Sequence, residues 1–135
     1  LMAKYLSYRT YHGCALGAHH QAASALAWQD EAHVVENRQM YRDKFAAVSE
    51  ILSPHYNLTQ PEGGFYHWLP TPICDREFSQ RLLAEQHITV MPGSFLGRDT
   101  HLGNPGQNHI RIAWVAPFDE CIEAAKRLAQ FAQNL

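Results

Sequence analysis

Charged side chains are scarce in this 135-residue chain, at 18%, and neither sign dominates. Eleven Lys and Arg stand against thirteen Asp and Glu, a net charge of -2 that nine histidines could turn positive only in mild acid. That balance lacks the basic footprint of a nucleic-acid-binding protein. No stretch approaches the ~18 consecutive apolar residues of a membrane helix. Leu1 to Leu6 is too short for a secretory signal, and no small-residue cleavage site follows it. Cysteine is rare: Cys14, Cys74 and Cys121 are odd in number and have no close pairing. They are expected as buried thiols in a reducing cytoplasm, not as a disulfide framework. HExxH and CxxC are absent, and His19, His20, His101 and His109 lack acidic partners at ligand spacing, so no metal site is expected. No local sequence supports an activated Cys–His pair.

What remains is an ordinary globular composition, 46% hydrophobic, with room for one domain and a helical arm. Leu1 to Tyr8 is weakly helical, with Met2, Tyr5 and Leu6 on one face. It begins as if in mid-helix, which suggests a piece of something longer. Tyr11 to Gly17 reads as a loop. Ala18 to Gln29 is alanine-rich and helix-favouring. Asp30 is placed to cap or kink, and from Glu31 to about Leu52 the apolar positions Val34, Tyr41, Phe45, Val48 and Leu52 recur at helical spacing. Pro54 ends that helix.

The period then changes. Gly64 to Leu69, bounded by Gly63 and Pro70, predicts a strand, with Phe65, Tyr66 and Trp68 expected to pack in the core. Asp75 is expected to cap a helix carrying Phe78, Leu82 and Leu83 and ending near Gln86. Ile88 to Met91 predicts a second strand stopped by Pro92 and Gly93. The glycine- and proline-rich stretch from Phe95 to Gln107 predicts a loop. His109 to Val115 is the clearest strand. Pro117 to Gln133 is the clearest helix, with Ile122, Ala125, Leu128, Ala129 and Ala132 on one side. The order predicts a helical arm and long linking helix leading into a small two-layer α/β domain.

Period two in the last strand puts Ile110, Ile112 and Trp114 on one face, a seat for helices, and Arg111 on the other. A guanidinium is costly to bury unpaired. Arg111 therefore either reaches solvent or a structural carboxylate, or forks onto a bound anion. Pro92-Gly93-Ser94-Phe95 is similarly open between a plain turn and a ligand-facing loop, and Pro61-Glu62-Gly63-Gly64-Phe65 reads as a tight turn.

Together, Pro-Glu-Gly-Gly-Phe-Tyr, then Pro-Gly-Ser-Phe, then Ile-Arg-Ile resemble, in that order, the C-terminal region of class I/II aminotransferases of pyridoxal-phosphate (PLP) fold type I. Gln21-Ala22-Ala23 and the following helix with Glu36-Asn37-Arg38 and Tyr41 look similar too, so the resemblance covers essentially the whole chain. Tyr8 to Cys14 and Thr89 to Ser94 look most like bacterial succinyldiaminopimelate aminotransferases of lysine biosynthesis.

That resemblance implies residues 1–30 as the tail of a PLP-binding large domain, 31–54 as a linking helix and 55–135 as the small C-terminal domain. It implies that Arg111 grips the substrate α-carboxylate, with Gly93, Ser94 and Phe95 bordering the substrate and Gly64 close by. The whole enzyme would exchange an amino group between N-succinyl-LL-diaminopimelate or glutamate and a 2-oxo acid, as a cytoplasmic homodimer. The lysine that holds PLP lies upstream in the family. None of Lys4, Lys44 and Lys126 matches it, so this chain is expected to hold no catalytic residue and to bind no PLP by itself. The rival readings are a β-lyase of the same fold, an aminotransferase-like domain of a transcription regulator, and a free-standing binding module.

Overall fold

The computed structural model describes residues 1–13 and 15–135, so the expectation for Cys14 lies outside the described residues. The chain divides into two units, Leu1–Asn37 and Arg38–Leu135. The first holds α1 (Met2–Tyr11), α2 (Ala18–Gln29) and the opening of α3 (Ala32–Leu52). Helix α2 has the expected bounds, whereas α1 runs on to Tyr11. Its last turn is held by Thr10 Oγ1 donating to Leu6 O at 2.9 Å and by Tyr8 stacked on His12 with centroids 4.4 Å apart. Asp30 sits one residue before the cap position of α3, and its Oδ1 accepts the Ala32 N–H at 3.2 Å. Neither α1 nor α2 buries a single residue. Leu6, Tyr11 and Trp28 stand in solvent.

The second unit contains the core. Three antiparallel strands, β1 (Tyr66–Pro70), β2 (Met91–Pro92) and β3 (His109–Ala113), form a sheet in the order β1-β3-β2. Helices α4 (Asp75–Gln86) and α6 (Phe118–Ala132) belong to the layer on one face. Phe78 of α4 meets Phe131 of α6 edge to face, centroids 5.2 Å apart. Leu82, Leu128 and Ala125 fill in around them, against Ile110, Ile112 and Trp114 of the sheet. Phe45, Val48 and Leu52 of α3 join the same cluster. Pro117 stands at the N-cap of α6, where a missing N–H costs nothing. This is the expected small α/β domain.

Five details differ from expectation. Phe65, Tyr66 and Trp68 are exposed: the alternation of β1 turns Tyr66 and Trp68 to the open face and buries His67 and Leu69, and Phe65 precedes the strand. Asp75 does not cap α4. Cys74 occupies the cap position without a side-chain bond, and the Asp75 carboxylate faces the loops instead. Strand β2 is only two residues long and includes Pro92, which an edge strand tolerates because its outward side needs no donor. A single helical turn, α5 (Gly93–Leu96), opens the region expected to be loop. Cys121 is buried as expected, but Cys74 is exposed. Among the described residues no helix is long and apolar enough to cross a membrane.

Candidate substrate-carboxylate site

The face of the sheet opposite α4 and α6 is open. Register sets Arg111, in the middle of β3, directly across from Trp68 of β1 and from Met91 of β2. The alternation along β3 buries Ile110 and Ile112 and leaves Arg111 half-buried between them on the open side. Its guanidinium carbon lies 5.6 Å from the centroid of the Tyr66 ring, a cation–π distance. Among the described residues no ion pair joins Arg111 to a carboxylate. The arginine is thus without a carboxylate partner among the described residues.

The remaining predicted residues gather around it unequally. Gly93 is buried against the β3 backbone. A side chain there would collide with Gly106 O and come within 2.7 Å of His109 O and 2.8 Å of Trp68 Cη2. Gly93 thus brings the turn against Trp68, the cross-strand partner of Arg111. Gly64 takes a positive φ of 92°, which glycine adopts without strain, and a methyl group there would meet the edge of the Tyr66 ring at 4.0 Å. Ser94 is held by its backbone: its N–H donates to Asp75 Oδ2 at 2.8 Å, and its carbonyl accepts from Asn104 Nδ2 at 3.0 Å. Phe95 points elsewhere. It is 67% exposed and lines a separate groove of about 210 Å³ with Arg76, Leu83, Val90 and Pro92.

The roles of three polar residues in the supporting layer are not legible in the local sequence. Asp75 is almost wholly buried and also accepts the Asn108 N–H, at 3.4 Å. Burial pushes its carboxyl up, but the hydrogen bonds from Ser94 and Asn108 outweigh burial and hold it below the usual carboxylate value. His67 is 1% exposed, and its Nδ1 accepts the indole N–H of Trp114 at 2.8 Å. That bond puts the neutral ring's proton on Nε2, which has no partner among the described residues. Burial lowers the His67 pKa, favouring the neutral ring. Lys44 is buried as well, donating to Trp114 O at 3.1 Å and to Ala116 O. The signal for Lys44 was its place in the apolar stripe of α3, between Tyr41 and Val48.

These lysine environments bear on PLP. Lys44 is committed to two carbonyls at the end of β3, and Lys4 and Lys126 are exposed on α1 and α6. The described residues do not by themselves fit a PLP site. What they do offer is an arginine on an aromatic sheet face.

Comparison with known proteins shows the family. The family model for aminotransferase class I and II matches residues 5–128. An aminotransferase structure from Neisseria meningitidis is 42% identical and superposes with a TM-score of 0.87 over 97% of this chain and 34% of its own. A probable aminotransferase of Mycobacterium tuberculosis is 30% identical over 95% of this chain and 29% of its own length. An LL-diaminopimelate aminotransferase of Syntrophobacter fumaroxidans is 30% identical over 76% of this chain and 26% of its own length. The chain spans between a quarter and about a third of these relatives. With the family model covering nearly all of it, this chain belongs to the class I and II aminotransferases.

Proposed function

We propose that, within a complete PLP-dependent aminotransferase, this chain supplies the small domain and the arginine that grips the substrate's α-carboxylate. Residues 1–30 then end the large domain, 31–54 form the linking helix and 55–135 the small domain. Arg111 carries this reading: it stands on the open sheet face, backed by the Tyr66 ring, and no ion pair among the described residues engages it. A carboxylate bound by both arms of the fork has its orientation fixed, and with it the α-carbon whose proton must be moved. Gly93 and Ser94 border that position, and Gly64 adjoins it through Tyr66. Phe95 is assigned to the outer rim of the turn. The cofactor and the lysine that handles it come from the rest of the enzyme, which works as a cytoplasmic homodimer.

For the substrate we favour N-succinyl-LL-diaminopimelate, with glutamate and 2-oxoglutarate as the exchange pair. Support comes from the LL-diaminopimelate relative and from a probable N-succinyldiaminopimelate aminotransferase of Thermus thermophilus, 33% identical over 67% of this chain with a TM-score of 0.54. The complete enzyme should consume N-succinyl-LL-diaminopimelate and 2-oxoglutarate with one glutamate formed per turnover. Release of pyruvate and ammonia from cystathionine, with no glutamate formed, would replace transamination by β-lyase chemistry.

A further inference from the structure

Strands β2 and β3 part after two pairs. Met91 pairs with Arg111 and Pro92 with Ile110, so the same register continued would set Gly93 against His109 and Ser94 against Asn108. The ladder stops instead, and the chain turns into α5. On its other edge β3 keeps its partner. Thr71 N–H donates to Asn108 O at 2.8 Å, one step beyond the Pro70–His109 pair of β1. The break is confined to the β2 side.

The Asp75 carboxylate fills that break. Its Oδ2 accepts the Ser94 N–H at 2.8 Å and its Oδ1 the Asn108 N–H at 3.4 Å, the two residues that the continued register would have paired. An ionised carboxylate has only acceptors, so it satisfies both N–H groups at once and holds the two backbones apart. Asp75 is 1% exposed, and Ser79 Oγ donates to its backbone carbonyl at 2.7 Å. Asn108 has a φ of 57°, a left-handed conformation that persists in a residue with a side chain where its surroundings impose it. Here its N–H is held by Asp75 and its carbonyl by Thr71. Asn104 Nδ2 donates to Ser94 O at 3.0 Å, so both backbone polar groups of Ser94 are held by side chains.

We infer that Asp75 is a positioning residue for the carboxylate site: wedged between the diverging ends of β2 and β3, it sets how far the Gly93–Phe95 turn stands from the strand that carries Arg111. The inference rests on the reading of Arg111 as the α-carboxylate grip. Arg111 lies three residues past Asn108 and directly opposite Met91, which precedes Ser94 by three. A change in the wedge therefore reaches the site twice, through Asn108 into the strand of Arg111 and through Ser94 into the turn. Buried as it is, Asp75 acts through those backbone groups and not on the substrate.

Steady-state kinetics of the complete enzyme, with glutamate as amino donor, test this. Asp75→Asn keeps the shape of the side chain but turns an amide N–H₂ toward one of the two N–H groups, so the wedge no longer satisfies both. The KM for glutamate should rise about tenfold while kcat changes less, the pattern of weakened substrate binding. Ser79→Ala removes the bond to the Asp75 carbonyl and leaves the carboxylate in place, and should lower the melting temperature with KM unchanged. In an Arg111→Lys background Asp75→Asn should add little, because the group it positions is already impaired. Should Asp75→Asn not fold, Asp75→Glu keeps both acceptors one methylene farther out and should raise KM in the same way. A lowered melting temperature with unchanged KM in the folded Asp75 variant would overturn the inference and leave Asp75 a structural residue. Full additivity with Arg111→Lys would overturn it too, with the carboxylate grip left standing. Parent-like kinetics for Arg111→Lys would overturn the grip, and the inference with it.

Discussion

The carboxylate of Asp75 accepts the backbone N–H of Ser94 at 2.8 Å, so the first residue of α4 anchors the turn that carries Gly93 to Phe95. Its other oxygen reaches the Asn108 N–H just before β3. One buried carboxylate thus ties the turn that follows β2 to the residue that enters β3, the strand that bears Arg111.

Asp75→Ala leaves these two N–H groups without their acceptor and should cost about 2–3 kcal/mol of stability. Urea unfolding measures the loss, and amide hydrogen exchange at Ser94 should accelerate more than at Leu128. Because hydrogen bonds hold the folded carboxyl below its ordinary 3.8, the contribution is present above about pH 4 and is lost as pH falls through the folded value.

Gly93 allows no side chain. Gly93→Ala forces a methyl group against Gly106 O, His109 O and Trp68 and should destabilise the domain by about 1–3 kcal/mol. Gly63→Ala is the control, with nothing within 4 Å of the added methyl and an expected change within about 0.5 kcal/mol. Melting of the two variants side by side should separate them clearly.

His67 gives the core a pH dependence of opposite origin. Burial depresses its folded pKa below 6.5, so between those two values the unfolded chain binds the extra proton. Stability is then intact above about pH 6.5 and falls as acid is added, by at most about 1.4 kcal/mol per pH unit from this group. His67→Gln can still accept the Trp114 N–H and should flatten the slope between pH 7.5 and pH 5.5 relative to the parent. An unchanged slope would remove His67 from the account.

Cys74 should be the fast thiol of the two described. It is exposed at the start of α4, where the N–H groups of Glu77 and then Arg76 stabilise the thiolate and lower its pKa, whereas burial pushes the Cys121 thiol up. Iodoacetamide at pH 7.5 followed by peptide mass mapping should label Cys74 well before Cys121. The reverse order would contradict the placement of α4.

Local pattern made much of this fold legible. Alanine content gave α2 its bounds, and period two in His109 to Val115 separated Arg111 from Ile110, Ile112 and Trp114. The same alternation in Tyr66-His67-Trp68-Leu69 puts Tyr66 and Trp68 on the open face, where hydrophobicity alone points to the core. Asp75, His67 and Lys44 were out of reach for another reason. Their partners Ser94, Trp114 and Ala116 come from distant parts of the chain, and only the tertiary fold brings them together.

The central claim is that Arg111 acts on substrate and not on the fold. Its most direct test is to make Arg111→Lys and Arg111→Ala in the complete enzyme and measure kcat/KM and melting temperature on the same samples. Lysine keeps the charge but loses the second arm of the fork, which should lower kcat/KM by roughly ten- to a hundredfold through one lost charge-assisted hydrogen bond. Alanine should lower it further, with melting temperature and PLP content unchanged in both variants. Unchanged kinetics with a lowered melting temperature would contradict the account and make Arg111 a structural residue.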